Sequence, residues 1–373
     1  MRWTLPIVTL GGTAIGVHLT FMLLIAWIGA VLWMAKGPVA AIDGVVFVIA
    51  LFVCVVLHEL GHAYAARRYG IRTRSITLYP IGGLAALDRL PEAPAQEVVV
   101  ALAGPAVNIL IALVLVALFG ARIELAALSE FGTPGADFLS RLATVNLVLA
   151  VFNLIPAFPM DGGRVLRAVL GFTMSRAQAT QAAARVGQML AIALGFLGLL
   201  GNPVLVLIAV FVYLAAGTEA YSATLHDFAR GRPVGDAMIV HFEALSTHST
   251  LDDAARMLLE TTQREFPVLD AQHHVAGFVA SRALVDSLGA QAGSTLVSEI
   301  MVRDIPVLSE SAFLEQAVER LEKDAAPAVA VVARDGQLVG YVTLENIAEF
   351  FMIRSANVNA RQRAAERTST RIG

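Results

Sequence analysis

Hydrophobic and polar residues divide the chain into two halves of different character. Between residues 13 and 217 apolar residues form long, nearly unbroken blocks, and charge becomes regular only after about residue 230. Blocks at about 14–34, 44–66, 98–119, 138–155, 186–200 and 204–216 read as membrane spans, to be set against a hydrocarbon core about 30 Å thick. The last two are separated only by Gly201-Asn202-Pro203 and read either as two short spans or as one kinked helix. Arg164, Arg167, Arg176 and Arg185 precede this pair, and Arg230 and Arg232 follow it. Basic flanks at both ends favour two spans, hence six crossings with both termini in the cytosol. Between the second and third spans, residues 71–90 include Ile76–Leu87 (ITLYPIGGLAAL), rich in β-branched, aromatic and glycine residues, which predicts a short β-hairpin at the membrane surface.

The polar half repeats itself. A constant offset of 63 residues relates Met238 to Met301, Ala254 to Ala317, Leu258 to Leu321 and Gly277 to Gly340, so a duplicated unit is expected. Each copy reads as a short lead (234–238; 297–301), an amphipathic helix (251–260; 314–323), two apolar strands (266–269 with 275–279; 328–332 with 338–342) and a closing helix. The expected domain limits are therefore 1–228 for the membrane part, 229–290 and 291–354 for the two copies, and 355–373 for a polar, arginine-rich disordered tail.

Composition sharpens this picture. The chain of 373 residues is 57% hydrophobic and 15% charged, with a mean hydropathy of +0.70. Soluble domains run about 45–50% apolar and about 25% charged, which excludes an ordinary soluble enzyme. A net charge of −3 without a basic stretch in the polar half excludes a nucleic-acid partner. The single cysteine, Cys54, lies in an apolar run, so no disulfide framework exists and a buried structural thiol is expected.

The second apolar block contains LHELGH, with His58, Glu59 and His62. On a helix, positions i and i+4 share a face, so the two imidazoles can converge on one metal while the intervening glutamate serves as general base toward a water there. Three ionisable groups on one turn inside a bilayer cost at least about 2.5–3.5 kcal/mol each by insertion scales, which demands a compensating site. His58 precedes Arg67 by nine residues, roughly 13 Å along a helix, which puts the site inside the membrane toward its cytosolic face. A catalytic zinc takes three protein ligands. Asp161, in FNLIPAFPMDGGRV, is the best-placed third candidate: Pro156 and Pro159 break the helix and Gly162-Gly163 permit close backbone approach. Its alternative role is to cap the next helix. His18 is a rival ligand, and His226, His241, His248, His273 and His274 belong to the polar half and look solvated.

These motifs together resemble the site-2 protease family of intramembrane zinc metalloproteases, in the form that carries a C-terminal pair of cystathionine-β-synthase (CBS) domains. The resemblance spans GVHLTF around His18, HELGH, the surface hairpin, ALAGPAVN at 101–108, NLIPAFPMDGGRV and the repeat. It implies a fold of about six transmembrane helices with a small membrane-surface β-hairpin, followed by an α/β CBS pair. It implies one zinc per chain on His58, His62 and Asp161, with Glu59 as the catalytic base. Asn153 and Pro159 match places that position substrate in the family, although its compact Asn-Pro-Asp-Gly string reads Pro159-Met160-Asp161-Gly162 here. In CBS domains a Ser/Thr and an Asp three residues apart hold a ribose; Thr343 and Asn346 occupy those places in the second copy and Ala280 and Ala283 in the first, so one adenine-nucleotide site at most is implied. The implied activity is hydrolysis of peptide bonds in or near transmembrane segments of membrane proteins, regulated through cytosolic CBS domains that also pair into homodimers. The alternative is a CBS-regulated transporter or channel whose polar path is lined by Asn108, Asn146 and Asn153.

Overall fold

The structure, a computed structural model, describes residues 4–356 apart from 81, 90, 92, 127–132, 134–136, 291, 292, 325 and 355. It divides into two compact units, the first ending at Ala223 and the second beginning at Thr224. The predicted tail, apart from Ala356, lies outside the described residues.

The first unit opens with β1 (Thr4–Leu10) and β2 (Thr13–His18), followed by α1 (Leu19–Lys36) and α2 (Pro38–Arg67). Then come β3 (Thr73–Tyr79), β4 (Gly82–Leu87), α3 (Pro94–Phe119), α4 (Phe138–Asn153), α5 (Asp161–Leu170), α6 (Arg176–Leu199) and α7 (Pro203–Ala229), the last running on into the second unit. Five of these helices, α1, α2, α3, α6 and α7, are long and apolar enough to cross a membrane, and α4 is a shorter apolar helix of 16 residues. Large apolar side chains face outward on these helices, among them Trp27 at 64% and Leu207 at 70% exposure. Such belts are tolerable only against lipid. The last pair is two helices: Gly201 takes φ +134°, and the Asn202 side chain accepts from the N–H of Val204 at the start of α7.

Two expectations change. The first span does not begin at residue 14, because Thr13–His18 forms β2 and the helix starts at Leu19. The hairpin read at 76–87 is present as β3 and β4, but it belongs to a four-stranded sheet ordered β1-β2-β3-β4. β2 pairs parallel with β3 (Ala14 with Ser75, Val17 with Leu78) and antiparallel with β1. A short β-branched stretch ahead of a helix takes its conformation from this distant partner, and a hydropathy window cannot see it.

The two buried arginines of the first unit are ion-paired. Arg141 on α4, 1% exposed, donates to both carboxylate oxygens of Asp43 on α2 at 2.9 and 3.0 Å. Arg167 on α5 is buried and donates to Glu97 of α3 and Glu219 of α7, clamping three helices together. Cys54 is a free, buried thiol, as expected.

The second unit contains both copies. The first has β5 (Leu245–Ser246), α8 (Leu251–Glu260), β6 (Glu265–Leu269), β7 (Val275–Ala280) and α9 (Ser281–Leu288). The second has β8 (Val307–Ser309), α10 (Leu314–Asp324), β9 (Val329–Val332) and β10 (Leu338–Val342), then a helix over 344–354. Each makes a three-stranded sheet, β5-β6-β7 and β10-β9-β8. The repeated glycine and methionine have a shared cause. A Cβ on Gly277 would stand 2.6 Å from the Val302 carbonyl oxygen, and one on Gly340 would stand 2.8 Å from that of Ile239. The lead of each copy therefore crosses the last strand of the other, with Met301 and Met238 packed on those glycines. His226, read as solvated, is partly exposed and meets Glu322 at 2.9 Å.

Candidate metal centre

The centre is built where α2, α3 and the start of α5 meet. His58 and His62 are one turn apart on α2, both buried, with their rings edge to face. Their orientation is set from α3. His58 Nδ1 lies 2.9 Å from Asn108 Oδ1, and His62 Nδ1 lies 2.7 Å from the carbonyl oxygen of Val100. With each Nδ1–H donated to an oxygen acceptor, each Nε2 presents its lone pair inward, the tautomer a metal requires.

Val100, Gly104 and Asn108 recur every four residues, so they share one face of α3. Gly104 lies directly against the rings: a Cβ there would collide with Nε2 of His62 and stand 2.6 Å from Nε2 of His58. Gly61 on α2 has the same function toward α3, since its Cβ would stand 2.8 Å from the Ala103 carbonyl oxygen. Small residues thus bring the two helices close enough for ring-to-backbone contact.

The third side chain arrives from α5. After Asn153 the chain turns through 154–160, with a cis peptide at Phe158–Pro159, before α5 begins at Asp161. A Cβ on Gly163 would stand 2.7 Å from the backbone of Ala157 and Phe158, and one on Gly162 would meet the carbonyls of Leu154 and Ile155. The two glycines therefore let the turn fold back on the helix it precedes, as their sequence predicts. Met160, not Asp161, holds the N-cap position, and the Asp161 carboxylate points at the histidines. Asp161 Oδ2 lies 3.2 Å from each Nε2, and the two Nε2 atoms are 3.1 Å apart. A tetrahedral zinc with bonds of about 2.0–2.1 Å separates its donors by about 3.3–3.4 Å. The observed triangle has that size, its members are buried, and two imidazoles with one carboxylate form a donor set suited to zinc. The residues fit the metal.

Glu59 follows His58 and is half-buried, its carboxylate packed against Gly83 of β4. A Cβ on Gly83 would stand 2.7 Å from Glu59 Cγ, so the glycine is what admits this side chain beneath the strand. Among the described residues β4 is the edge strand of its sheet, with one side of its backbone unpaired.

The other sequence candidates separate clearly. His18 caps α1, accepting from the N–H of Thr20, and stacks on Tyr79, so it is no part of the triangle. Asn153 ends α4 half-buried and Pro159 is exposed on the turn; neither is hydrogen-bonded to the triangle. Asn108 is spent on His58, and Asn146 donates to the Leu142 carbonyl while fully buried. Asn108 and Asn146 are thus engaged within the protein interior, which counts against the polar path of the transporter alternative. Thr343 and Asn346 are bonded to each other, 2.5 Å between their side-chain oxygens. The sequence alone does not mark Asn108, Gly104 and the Val100 carbonyl as parts of the site. Their signal was an asparagine in an apolar span, one small-residue step from Gly104. Replacing Asn108 with Ala should lower zinc affinity by about 10–100-fold, measured by competition with a zinc chelator, because the ring it orients is released.

A helical membrane protein with a buried His-His-Asp donor set is the class that this fold and site define. A family model described as peptidase family M50 matches residues 46–134 and 122–194, and a CBS-domain model matches residues 234–290 and 297–353. A zinc metalloprotease of Methanocaldococcus jannaschii is 33% identical over 271 residues, covering 72% of this chain and 76% of that one. Rip3 of Mycobacterium tuberculosis, named a zinc metalloprotease, is 31% identical over 93% of both chains. The solved site-2 protease from Methanocaldococcus jannaschii is 37% identical, covering 58% of this chain and 95% of that one, with a TM-score of 0.43. The chain belongs to peptidase family M50, the site-2 type of zinc metalloprotease, and carries a tandem CBS pair behind its multi-pass membrane part.

Proposed function

We propose that this protein cleaves peptide bonds within or beside transmembrane segments of other membrane proteins, with His58, His62 and Asp161 holding one zinc and Glu59 as the general base. The observation that carries the reading is the convergence of three buried donor atoms within one triangle, with a second carboxylate, Glu59, beside it and outside the donor set.

Zinc on those atoms would polarise the scissile carbonyl and lower the pKa of a water toward about 7. Glu59 then takes a proton from that water and passes it to the leaving amine. An extended substrate segment lies along the free edge of β4, whose backbone N–H and C=O groups bind main chain without demanding a sequence. That suits a protease acting on apolar segments, and the Glu59–Gly83 contact puts the base under the strand where such a segment would lie. Asn153 and Pro159 flank the approach to Asp161 and are assigned to substrate positioning. The basic residues at the end of α2 argue that the site opens toward the cytosol, and the basic flanks of α6 and α7 argue for a CBS pair on the same side. CBS pairs stack, so a homodimer through this unit is part of the reading. An adenine nucleotide at Thr343 and Asn346 would have to break the bond those side chains make with each other, so regulation by nucleotide rests on the repeat alone.

The test is cleavage of a model transmembrane substrate by the purified full chain before and after zinc removal with a membrane-permeant chelator. Activity is expected to vanish on chelation and return with about one equivalent of zinc. Cleavage that survives complete demetallation defeats the reading.

A further inference from the structure

On the face of α2 turned away from His58 and His62 lies a cavity of about 500 Å³, between the β1–β2 turn and the last two turns of the helix. Leu60, Tyr64 and Arg67 share that face, and Leu10, Arg72 and Thr73 complete the part of the lining that matters here. Its charge is unbalanced. Arg67 donates only to the Gly11 carbonyl, at 3.3 Å, and Arg72 is in no ion pair among the described residues, whereas nearby Arg74 is neutralised by Asp88. The carbonyls at the end of α2, which would repel an anion, already accept from the N–H groups of Arg68, Tyr69, Gly70 and Ile71. Thr73 also lines the cavity, and its buried hydroxyl has no hydrogen-bond partner among the described residues.

The surroundings specify the shape of a ligand. Arg67 is the last residue of a membrane-crossing helix, so the cavity sits at the boundary between hydrocarbon and water. Leu10 leads from the cavity into β1, where Leu5, Ile7 and Val8 are exposed, an apolar strip adjoining a basic pocket. An anionic head joined to an apolar tail matches both.

We propose that this cavity seats the phosphate headgroup of an anionic phospholipid, with Arg67 and Arg72 pairing with the phosphate oxygens, Tyr64 at the headgroup level and the acyl chains lying along β1. The site is independent of the zinc centre. A bound lipid would fix the depth of α2 in the bilayer.

The experiment is native mass spectrometry of the full chain in a non-ionic detergent, with added phosphatidylglycerol or phosphatidylcholine. An arginine at a membrane surface is worth about fivefold in binding, so two predict that the first phosphatidylglycerol binds about twentyfold more tightly than phosphatidylcholine. Arg72→Ser should weaken it about fivefold. Arg68→Ser, which removes the same charge one residue past α2 and outside the cavity, should weaken it clearly less than Arg72→Ser does. Arg68 and Arg72 are exposed, so neither variant threatens the fold. Equal affinity for the two lipids overturns the proposal, as does equal weakening by Arg68→Ser and Arg72→Ser, which would mean diffuse surface charge. Displacement of the bound lipid by millimolar inorganic phosphate overturns the lipid as the ligand and assigns the pocket to a soluble phosphate.

Discussion

Glu59→Gln leaves about one zinc per chain and lowers the turnover of a transmembrane substrate by about 10²–10⁴-fold, the usual contribution of a positioned general base. The two halves of that result come from separate parts of the structure. Zinc content is governed by the triangle of His58 Nε2, His62 Nε2 and Asp161 Oδ2, in which Glu59 has no part. The imidazoles are held from α3 by Asn108 and the Val100 carbonyl, so a change at Glu59 leaves the donors aligned. Glutamine matches glutamate in size, so the contact with Gly83 survives. Only the capacity to accept a proton is lost. Metal analysis and cleavage on one purified sample read both halves. Zinc lost from Glu59→Gln would make Glu59 a ligand, and turnover retained at the wild-type level would remove it from the chemistry.

Local spacing explains which parts of the site were legible in the sequence. His58 and His62 are four residues apart, so a helix alone puts them on one face, and the bilayer's penalty on charge separates such a pair from a solvated accident. Asp161 is 99 residues away from His62, and spacing says nothing about whether they meet. What the sequence carries there is conformational: two prolines to break the helix and two glycines to admit close backbone, and the space at Gly162 and Gly163, which a Cβ would overfill, is the physical content of that pattern. The pattern stops at groups whose function is only to receive a neighbour. Gly104 and Gly83 have no side chain to give a signal, and the Val100 carbonyl belongs to the backbone. The β1–β2 arm failed for a related reason. Residues 13–18 are apolar and precede a helix, so a hydropathy window extends the helix through them, whereas their pairing with β3 some 60 residues later decides their conformation. In the second unit the duplication is visible at an offset of 63, but the crossing of each copy's lead over the other's last strand, where Gly277 meets Val302 and Gly340 meets Ile239, rests on tertiary contacts that the offset does not encode.

Asp161→Ala is expected to abolish both zinc retention and cleavage, and the stability of the two forms separates its two candidate roles. If Asp161 served mainly as a first-turn carboxylate of α5, its removal would cost about 0.3–1 kcal/mol whether or not zinc is present. As a metal donor it contributes through linkage, since a metal bound only by the folded state stabilises it by RT ln(1 + [Zn]/Kd), about 4 kcal/mol at a thousandfold excess over Kd. The geometry favours the second role. Met160 holds the cap, and Oδ2 stands 3.2 Å from both Nε2 atoms. Removing it leaves two imidazole nitrogens 3.1 Å apart, one ligand short of what a catalytic zinc takes from protein. In detergent, the apo forms of wild type and Asp161→Ala should therefore unfold within a few degrees of each other, while added zinc raises the midpoint of the wild type alone. Should the variant gain as much from zinc as the wild type does, Asp161 is not a ligand, and the third donor must be sought elsewhere.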